Sequence, residues 1–541
     1  MSYKLFFKKL ILSVAIISNL NAADNITLDW LEDQPKSIAK DFYIWRYLAQ
    51  DITAKQAQEA ISQTNRFNNK LFYRYIAKSN DKNLKEYRKC IRTKTSTLLH
   101  KEPYCIEAGL SVYDATKLSK NKLDDLIEKV KPEYKELAKK LEILSSPIPF
   151  RSLEQADVDT FFNVFNQVGS YYRAKYFNQY FNLDVLKKLK KDKRFTQTIK
   201  LIVTNPKMRK AQLSLLNLSS DGLNYRSLFH LAIDAIINHK EKKALEYLNV
   251  AFKKAYYQMQ KDNITFWQYQ LTKDKKYLYT LAKSWDLNIY SLYAKERVNS
   301  NNIKIVYDIK QNSDTNSSYD YTIPFNWLKV LKDSKKMDKN KLEKYTNLFN
   351  SKDTLGHLAF VKERYDRYRT AYFITPYKEY LKGLSKDDQA LVYAIARQES
   401  RFIPTSISPA YAMGVMQIMP FLSKAIAKEL REDYDIDKQL TPKINIKYAI
   451  HQIKFLKRRL HHPLFIAYGY NGGIGFTKRL LKKGLFKKGK YEPYLSMELL
   501  PYDETKKYGK KVLANYFIYQ NYLNKEHKIK FNKLIDSIIR H

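Results

Sequence analysis

Apolar residues recur every three or four positions through most of the first 300 residues, which is the spacing of one face of an α-helix. The segments KLDDLIEKVKPEYKELAKKLEIL (122–144) and KALEYLNVAFKKAYYQMQ (243–260) are typical. Only four of the 13 glycines precede residue 383, so this long region has few tight turns. The pattern predicts an all-α scaffold of stacked helical hairpins, although we find no regular repeat period.

A polar, loop-like stretch, QNSDTNSSYDYTIP, interrupts this pattern at residues 311–324. It predicts a domain boundary near 310–320, followed by a short helical section that runs to about Arg369. A chain of 541 residues is too long for a single hydrophobic core. We therefore expect two to four domains.

One acidic residue, Glu399, interrupts an apolar helical face in the last third of the chain. The helix that carries it has an N-cap pattern at Ser385 and is expected to end near Ser400–Arg401. Glu399 follows three apolar residues at helical offsets of seven, four and three, namely Val392, Ile395 and Ala396. Those offsets place the carboxyl on the side of the helix that packs into the core.

An acid in that position needs either a proton or a partner. Burial raises the pKa of a carboxyl group, and a position near the C-terminus of a helix acts in the same direction. A glutamic acid that keeps its proton near neutral pH is suited to protonate a glycosidic oxygen as a general acid. The alternative is a buried salt bridge with Arg397 or Arg401, and the periodicity alone leaves both interpretations open.

The first residues, MSYKLFFKKLILSVAIISNLNAAD, have the pattern of a secretory signal peptide. Three lysines precede an apolar run from Leu10 to Ile17, and small residues follow at Ala22 and Ala23, so we expect cleavage after Ala22. The alternative is a membrane-spanning helix, for which the unbroken apolar run is short. Localisation in the periplasm is therefore predicted.

The chain is strongly basic, with 97 Lys and Arg against 55 Asp and Glu and a net charge of +42. Removing the signal peptide would take away three lysines and no acids, which leaves +39. Such a charge suits nucleic acid, an anionic membrane surface or an acidic polymer. Because a secreted protein rarely meets nucleic acid, an anionic polymer of the cell envelope is the partner that we expect.

The only two cysteines are Cys90 and Cys105. In an oxidising compartment, a single pair that closes a short loop is most simply a disulfide. The alternatives are two free thiols or two metal ligands, for which no neighbouring His or third Cys provides support.

Four short motifs follow one another in the last third of the chain: ESRF (399–402), GVMQIMP (414–420), YNGG (470–473) and MELLPYDETKKYGKKVLANY (497–516). Singly, each has an ordinary explanation, with the methionines as core residues, the glycines as turns and Tyr470 as packing. In this order and spacing, they resemble the soluble lytic transglycosylases of bacterial cell walls. The resemblance covers roughly residues 385–520, and its departures are Val415 in place of Leu and Gly472–Gly473 in place of Ala-Gly.

This resemblance implies an all-α protein in which a lysozyme-like catalytic domain, of the goose-type kind, sits on a ring-shaped superhelix. The domains would then be a signal peptide (1–22), an α-superhelical domain (23–310), a helical linker domain (311–370) and a catalytic domain (371–541). It also implies that Glu399 is the sole catalytic acid and base.

The resemblance implies a set of substrate-binding residues as well. Ser408 and Tyr470 would orient the Glu399 carboxyl or the acetamido group of the substrate, and Glu504 would contact the sugar near the cleaved bond. The complete set is Ser408, Met416, Gln417, Met419, Tyr470, Asn471 and Glu504.

The position of Glu504 can also be read from the sequence itself. It follows Pro501 at the start of a helix and precedes Tyr508 by four residues and Val512 by eight, so we expect it to face the packed side. A carboxylate is stabilised at a helix N-terminus, where we expect it to stay ionised. The alternative is an ordinary acid of a first helical turn.

The family chemistry cleaves the bond between N-acetylmuramic acid and N-acetylglucosamine and closes a 1,6-anhydro ring, with no cofactor and no metal. The expected partner is the peptidoglycan glycan strand, nucleic acid is not expected, and the chain is expected to be a monomer. Association with cell-wall synthesis enzymes stays open. A hydrolase of the same fold, with Glu504 as a second carboxylate, and a non-catalytic peptidoglycan-binding scaffold are the alternative functions.

Overall fold

The computed structural model describes residues 26–300, 304–311 and 318–540, and the predicted signal peptide lies outside these ranges. The described chain is built almost wholly from α-helices. The first 21 of them are α1 (Leu28–Glu32), α2 (Ile38–Tyr47), α3 (Ala54–Ser62), α4 (Asn69–Lys78), α5 (Lys82–Arg92), α6 (Thr95–Leu98), α7 (Pro103–Gly109), α8 (Val112–Ala115), α9 (Lys120–Val130), α10 (Lys135–Ser145), α11 (Pro149–Gln155), α12 (Val158–Phe165), α13 (Ser170–Tyr176), α14 (Leu183–Leu189), α15 (Phe195–Val203), α16 (Arg209–Leu215), α17 (Tyr225–Ile237), α18 (Glu241–Lys254), α19 (Gln258–Thr272), α20 (Lys275–Ala282) and α21 (Ile289–Arg297).

These helices pack mainly on their neighbours in sequence, as α9 does on α10 and as α17 to α21 do in succession. Side-chain caps set many of their starts. For example, Asn224 accepts a hydrogen bond from the backbone of Ser227 at the start of α17. The amphipathic segment 243–260 forms α18 and the start of α19, with Ala244, Tyr247 and Leu248 buried. The predicted all-α scaffold of stacked hairpins is confirmed.

A short middle segment carries its own core. It contains α22 (Pro324–Asp333), α23 (Lys339–Leu348) and α24 (Leu355–Tyr365). Trp327, Tyr345, Phe349 and Leu358 form a buried cluster there, separate from the main core. Two strands flank the segment, since β1 (Ile305–Val306) pairs in parallel with β2 (Ala371–Tyr372). The domain boundaries at residues 310 and 370 stay predictions.

The last part of the chain is a compact helical unit. Its helices are α25 (Lys386–Glu399), α26 (Pro420–Glu429), α27 (Pro442–Leu460), α28 (Pro463–Gly472), α29 (Ile474–Lys482), α30 (Tyr494–Glu498), α31 (Asp503–Leu523) and α32 (Phe531–Asp536). The long helix α31 is central, because α25 and α28 both pack along it. Gly509 allows the close approach of α28, since a Cβ at this position would lie 2.1 Å from Cε1 of Tyr468.

The helical scaffold touches this unit at both of its ends. At its start, the guanidinium of Arg46 donates to the carboxylate of Asp437 at 2.9 Å, and Asn68 donates to the hydroxyl of Tyr411 at 3.0 Å. Tyr411 is fully buried among aromatic side chains of α2. The scaffold therefore contacts the same helical unit with both its first and its last helices.

At the other end, a buried ionic cluster joins α21 to α30 and α31. The ammonium group of Lys510 binds the carboxylate of Glu498, which also accepts a hydrogen bond from Tyr290 at 2.7 Å. Burial alone would raise the pKa of Glu498, but the positive charges of Lys510 and Lys506 outweigh it and hold the pKa below its ordinary value. Removal of either partner would leave a buried charge unpaired, which is strongly destabilising. The pair therefore constrains how α30 packs against α31.

The predicted disulfide between Cys90 and Cys105 is present and links α5 to α7. Within the ranges described, none of the helices is both long enough and apolar enough to cross a bilayer.

The close contact at Gly509 gives a test of this packing. We expect Gly509→Ala to lower the free energy of unfolding by about 1–3 kcal/mol, because the added methyl group overpacks the contact between α31 and α28. Chemical denaturation would measure the change. The matched control is Gly475→Ala in α29, where the nearest atom to the added Cβ is the flexible tip of Arg479 at 3.4 Å. An equal loss of stability in both variants would show that close packing of α28 on α31 does not require a glycine at position 509.

Candidate active site

The four sequence motifs meet in space through a chain of hydrogen bonds. Ser400 of the first motif donates to the carbonyl of Val415 in the second at 2.7 Å. The hydroxyl of Tyr470 in the third donates to the carbonyl of Met416 at 2.8 Å. The fourth motif closes the set, since Tyr508 donates to the carboxylate of Glu399 at 2.7 Å. The motifs therefore build one site.

Glu399 is the last residue of α25. The helix begins after an N-cap at Ser385, whose hydroxyl accepts the backbone N–H of Asp388 at 3.1 Å, as the sequence predicts. Val392, Ile395 and Ala396 are buried on the face that leads to Glu399. The Glu399 side chain itself retains partial solvent access and faces α31.

The surroundings of the Glu399 carboxyl favour its protonated form. Burial of the carboxyl raises the pKa of Glu399 to about 8, and the negative charge of Glu504 contributes in the same direction. The hydrogen bond from Tyr508 opposes this shift because it stabilises the carboxylate. Glu399 therefore holds a proton at neutral pH and can release it to a bound group.

The two arginines that could have neutralised Glu399 bind a different acid. Arg397 and Arg401 contact the carboxylate of Glu363 on α24 at 2.9 and 3.2 Å. Glu363 is almost fully buried. The alternative interpretation of Glu399 as a salt-bridge residue is therefore wrong, because its neighbouring cations have a partner elsewhere.

The loop that follows Glu399 is strained. Arg401 and Phe402 both adopt left-handed backbone conformations, with φ of 59° and 67°, and Gln417 does so at 49°. Non-glycine residues rarely take this conformation, and it concentrates at functional sites. At Gly414, φ is 81° and a Cβ would lie 2.4 Å from the carbonyl oxygen of Gln439, so this glycine of the second motif is required.

The second motif and Ser408 lie on this loop. The Ser408 hydroxyl accepts the backbone N–H of Ala412 at 2.9 Å, which shapes its own turn. The amide of Gln417 donates to the carbonyl groups of Ser406 and Gly414 at 2.8 and 2.9 Å. Met419 is partly exposed at the start of α26.

The side chain of Met416 is fully buried in the hydrophobic core. It therefore has no surface with which to contact a glycan strand, and its role in the site is structural. Its carbonyl group accepts the hydroxyl of Tyr470. The proposed substrate contact at Met416 is not compatible with this burial.

The third and fourth motifs face each other beside Glu399. Asn471 donates to the Glu504 carboxylate at 3.3 Å and accepts the hydroxyl of Thr505 at 2.8 Å. Glu504 is exposed, so the expectation that it faces the packed side is wrong. Tyr508 is buried, whereas Glu504, one turn earlier, is exposed although the next two residues, Thr505 and Lys506, are buried.

Three of the side-chain interactions that hold the site together were not predicted from the sequence, namely those of Tyr508, Asn445 and Glu363. Tyr508 donates a hydrogen bond to Glu399, whereas the hydroxyl of Tyr470 donates to the carbonyl of Met416 and that of Ser408 accepts from Ala412. Asn445 on α27 is fully buried, accepts the N–H of Met416 at 2.7 Å and holds the second motif in place. The sequence signal for Asn445 is a polar residue on an apolar helical face. Glu363 lies 34 and 38 residues from its two arginine partners, and no local pattern indicates that pairing.

Residues 380–492 match the family model of the transglycosylase SLT domain. The domain spans the first three motifs, and the match supports the resemblance to the soluble lytic transglycosylases.

This chain is also similar to curated soluble lytic murein transglycosylases. It is 30% identical to the protein of Salmonella typhimurium (strain LT2) over 154 residues, which cover 28% of this chain and 23% of the relative. It is 29% identical to the protein of Escherichia coli (strain K12) over 212 residues, which cover 38% and 32%. The matched part spans less than a third of the length of each of these relatives.

Two solved structures are also similar. The 70 kDa soluble lytic transglycosylase of Escherichia coli aligns with a TM-score of 0.48 and 17% identity, covering 93% of this chain and 84% of that one. An inactive mutant of the lytic transglycosylase Slt of Pseudomonas aeruginosa aligns with a TM-score of 0.48 and 15% identity, covering 92% and 89%.

The raised pKa of Glu399 predicts a pH-dependent stability difference. A carboxyl whose pKa is higher in the folded state stabilises the fold at low pH, and this contribution is lost as the pH rises from about 4.5 through about 8. Because Glu399→Gln does not ionise, its melting temperature should exceed that of the unsubstituted protein by an amount that grows over this range. Each pKa unit corresponds to about 1.4 kcal/mol.

Thermal unfolding of both proteins between pH 5 and 9 measures the difference. Glu128→Gln, at an exposed position on α9, is the control for the loss of one negative charge. A stability difference that does not change between pH 5 and pH 8 would contradict the raised pKa.

Proposed function

We propose that the chain is a lytic transglycosylase that cleaves the β-1,4 bond between N-acetylmuramic acid and N-acetylglucosamine in peptidoglycan without water. The observation that carries the proposal is a carboxyl, Glu399, with a pKa of about 8 inside an SLT domain. The names of the curated relatives support the same reaction class. Cleavage of this kind would serve cell-wall remodelling and turnover, and we place the enzyme in the periplasm.

In the first step, the Glu399 carboxylic acid gives its proton to the glycosidic oxygen as the bond to the anomeric carbon of N-acetylmuramic acid breaks. The group that leaves is the N-acetylglucosamine hydroxyl. The positive charge that develops at the anomeric carbon is stabilised by the acetamido oxygen of the same sugar. Tyr508 stabilises the carboxylate that forms on Glu399, since its hydroxyl already donates to Oε1.

In the second step, the Glu399 carboxylate takes the proton from the C6 hydroxyl of the muramic acid residue. The C6 oxygen attacks the anomeric carbon, and the 1,6-anhydro ring closes. The proton on Glu399 is thereby restored, so one carboxyl serves as acid and then as base. A pKa near the working pH suits both roles.

The main alternative is hydrolysis, in which a second carboxylate activates water. The other acids of the fourth motif, Glu498 and Asp503, are ion-paired with lysines, which leaves Glu504 as the candidate. Its hydrogen bond with Asn471 and its exposure at the start of α31 favour substrate contact over activation of an enclosed water. A purely non-catalytic scaffold is less well supported, because such a protein would have no need for a buried, protonated Glu399. We keep Ser408, Gln417, Met419, Tyr470 and Asn471 as proposed groove residues.

Mass spectrometry of the muropeptides released from purified sacculi tests the reaction. We expect products that are lighter by one water than hydrolysed muropeptides. Glu399→Gln should abolish their release, because an amide cannot donate and recover the proton. Glu504→Gln is the matched comparison and should still give anhydro products at a reduced rate.

If the products instead carried hydrated reducing ends, and if Glu504→Gln abolished their release, the chain would be a hydrolase that uses two carboxylates. Unchanged release by Glu399→Gln would contradict the proposed role of Glu399. Circular dichroism of each variant confirms that the fold is retained.

A further inference from the structure

A cavity of about 490 Å³ lies between the helical scaffold and the catalytic unit. Helices α17, α19 and α21 contribute one wall, and α25 and α31 contribute the other. The wall on α31 carries four lysines, namely Lys506, Lys507, Lys510 and Lys511. Three arginines add to them, namely Arg226 from α17, Arg397 from α25 and Arg401 from the loop that follows α25. Only three carboxylates face these seven cations.

Most of the carboxylates are already engaged. Glu498 binds Lys510, and Asp503 binds Lys200 and Lys506 at 3.1 and 3.6 Å. Arg397 and Arg401 share the single carboxylate of Glu363 behind the wall.

Three of the cations therefore have no ion pair. Across residues 26–300, 304–311 and 318–540, no hydrogen bond or salt bridge is formed by the side chains of Arg226, Lys507 or Lys511. Arg226 belongs to the scaffold, and both lysines belong to the catalytic unit. The cavity thus holds an excess of positive charge, most of it on the wall of the catalytic unit, and the third carboxylate, Asp286 of the scaffold wall, interacts with Lys511 without forming an ion pair.

Arg226, Lys507 and Lys511 are exposed residues at the cavity, and neighbouring cations repel both lysines. Burial lowers the pKa of Lys507, and the charge of Arg226 lowers it further. Burial likewise lowers the pKa of Lys511, and the neighbouring Arg401 acts in the same direction. A bound anion would relieve this repulsion, because like charges at short range in a partly desolvated site destabilise each other.

The cavity is distinct from the candidate active site. Its lining residues on α31 recur at positions 503, 506, 507 and 510, which form one face of the helix. Thr505 and Tyr508, which serve the site around Glu399, lie on a different face.

We propose that this cavity binds a small multivalent oxyanion, carrying phosphate or carboxylate groups, that bridges Arg226 of the scaffold and Lys507 and Lys511 of the catalytic unit. The site does not depend on the proposed reaction. Because the anion contacts both walls, its binding stabilises the junction between the scaffold and α31 by mass action. Unpaired cations on opposite walls, one on the scaffold and two on α31, match a ligand with more than one anionic group.

Isothermal titration calorimetry at low ionic strength tests the proposal with two probes used separately, inorganic pyrophosphate and tricarballylate. We expect one saturable site per chain for at least one of them, together with a rise in melting temperature. Pyrophosphate binding alone would assign a phosphate ligand, and tricarballylate binding alone a carboxylate ligand.

The double variant Lys507→Gln/Lys511→Gln should weaken binding at least tenfold, and Arg226→Gln should weaken it by a similar factor from the opposite wall. The matched control is Lys242→Gln/Lys253→Gln, which removes two exposed lysines of α18 outside the cavity and should change the dissociation constant less than twofold. Saturable binding of neither probe would overturn the proposal. An equal loss in the control variant, or unchanged binding by Arg226→Gln, would also overturn it.

Discussion

The packing of α25 against α31 is the constraint on which the site depends. It places the last residue of α25, Glu399, where its carboxyl loses most of its water and gains one hydrogen bond from Tyr508. A single hydrogen bond does not compensate for that desolvation, so the acid keeps its proton to about pH 8. Gly509, the residue after Tyr508, lets α28 approach α31 closely.

The rest of the molecule holds these helices in place. The scaffold contacts the catalytic unit through Arg46 and Asp437 at its start, and through the cluster around Glu498 at its end. Glu363 binds both arginines beside Glu399 and so keeps them from pairing with the Glu399 carboxyl. If either arginine instead paired with Glu399, the pKa of that carboxyl would fall and the acid would lose its proton. The position of Glu363 in the middle segment therefore affects the chemistry of the site.

Sequence periodicity was sufficient to predict features that depend on residues close together in the chain. It located the helix of Glu399 from its Ser385 cap and its apolar face, and it predicted the helical scaffold from the scarcity of glycine. It failed where the outcome depends on distant packing. Glu504 shares a helical face with Tyr508 but is exposed, and periodicity within one helix does not show which of its turns a neighbouring element covers. Arg397 likewise finds its partner through a tertiary contact that the sequence does not reveal.

The central claim is that Glu399 is protonated at neutral pH in the folded protein. Selective labelling of glutamate with ¹³C at Cδ, with Glu399→Gln for assignment, allows this carboxyl to be titrated directly by NMR. We expect a midpoint near pH 8, which should rise in Tyr508→Phe because the hydrogen bond that favours the carboxylate is removed. A midpoint near 4.5, the ordinary value for glutamate, would contradict the account.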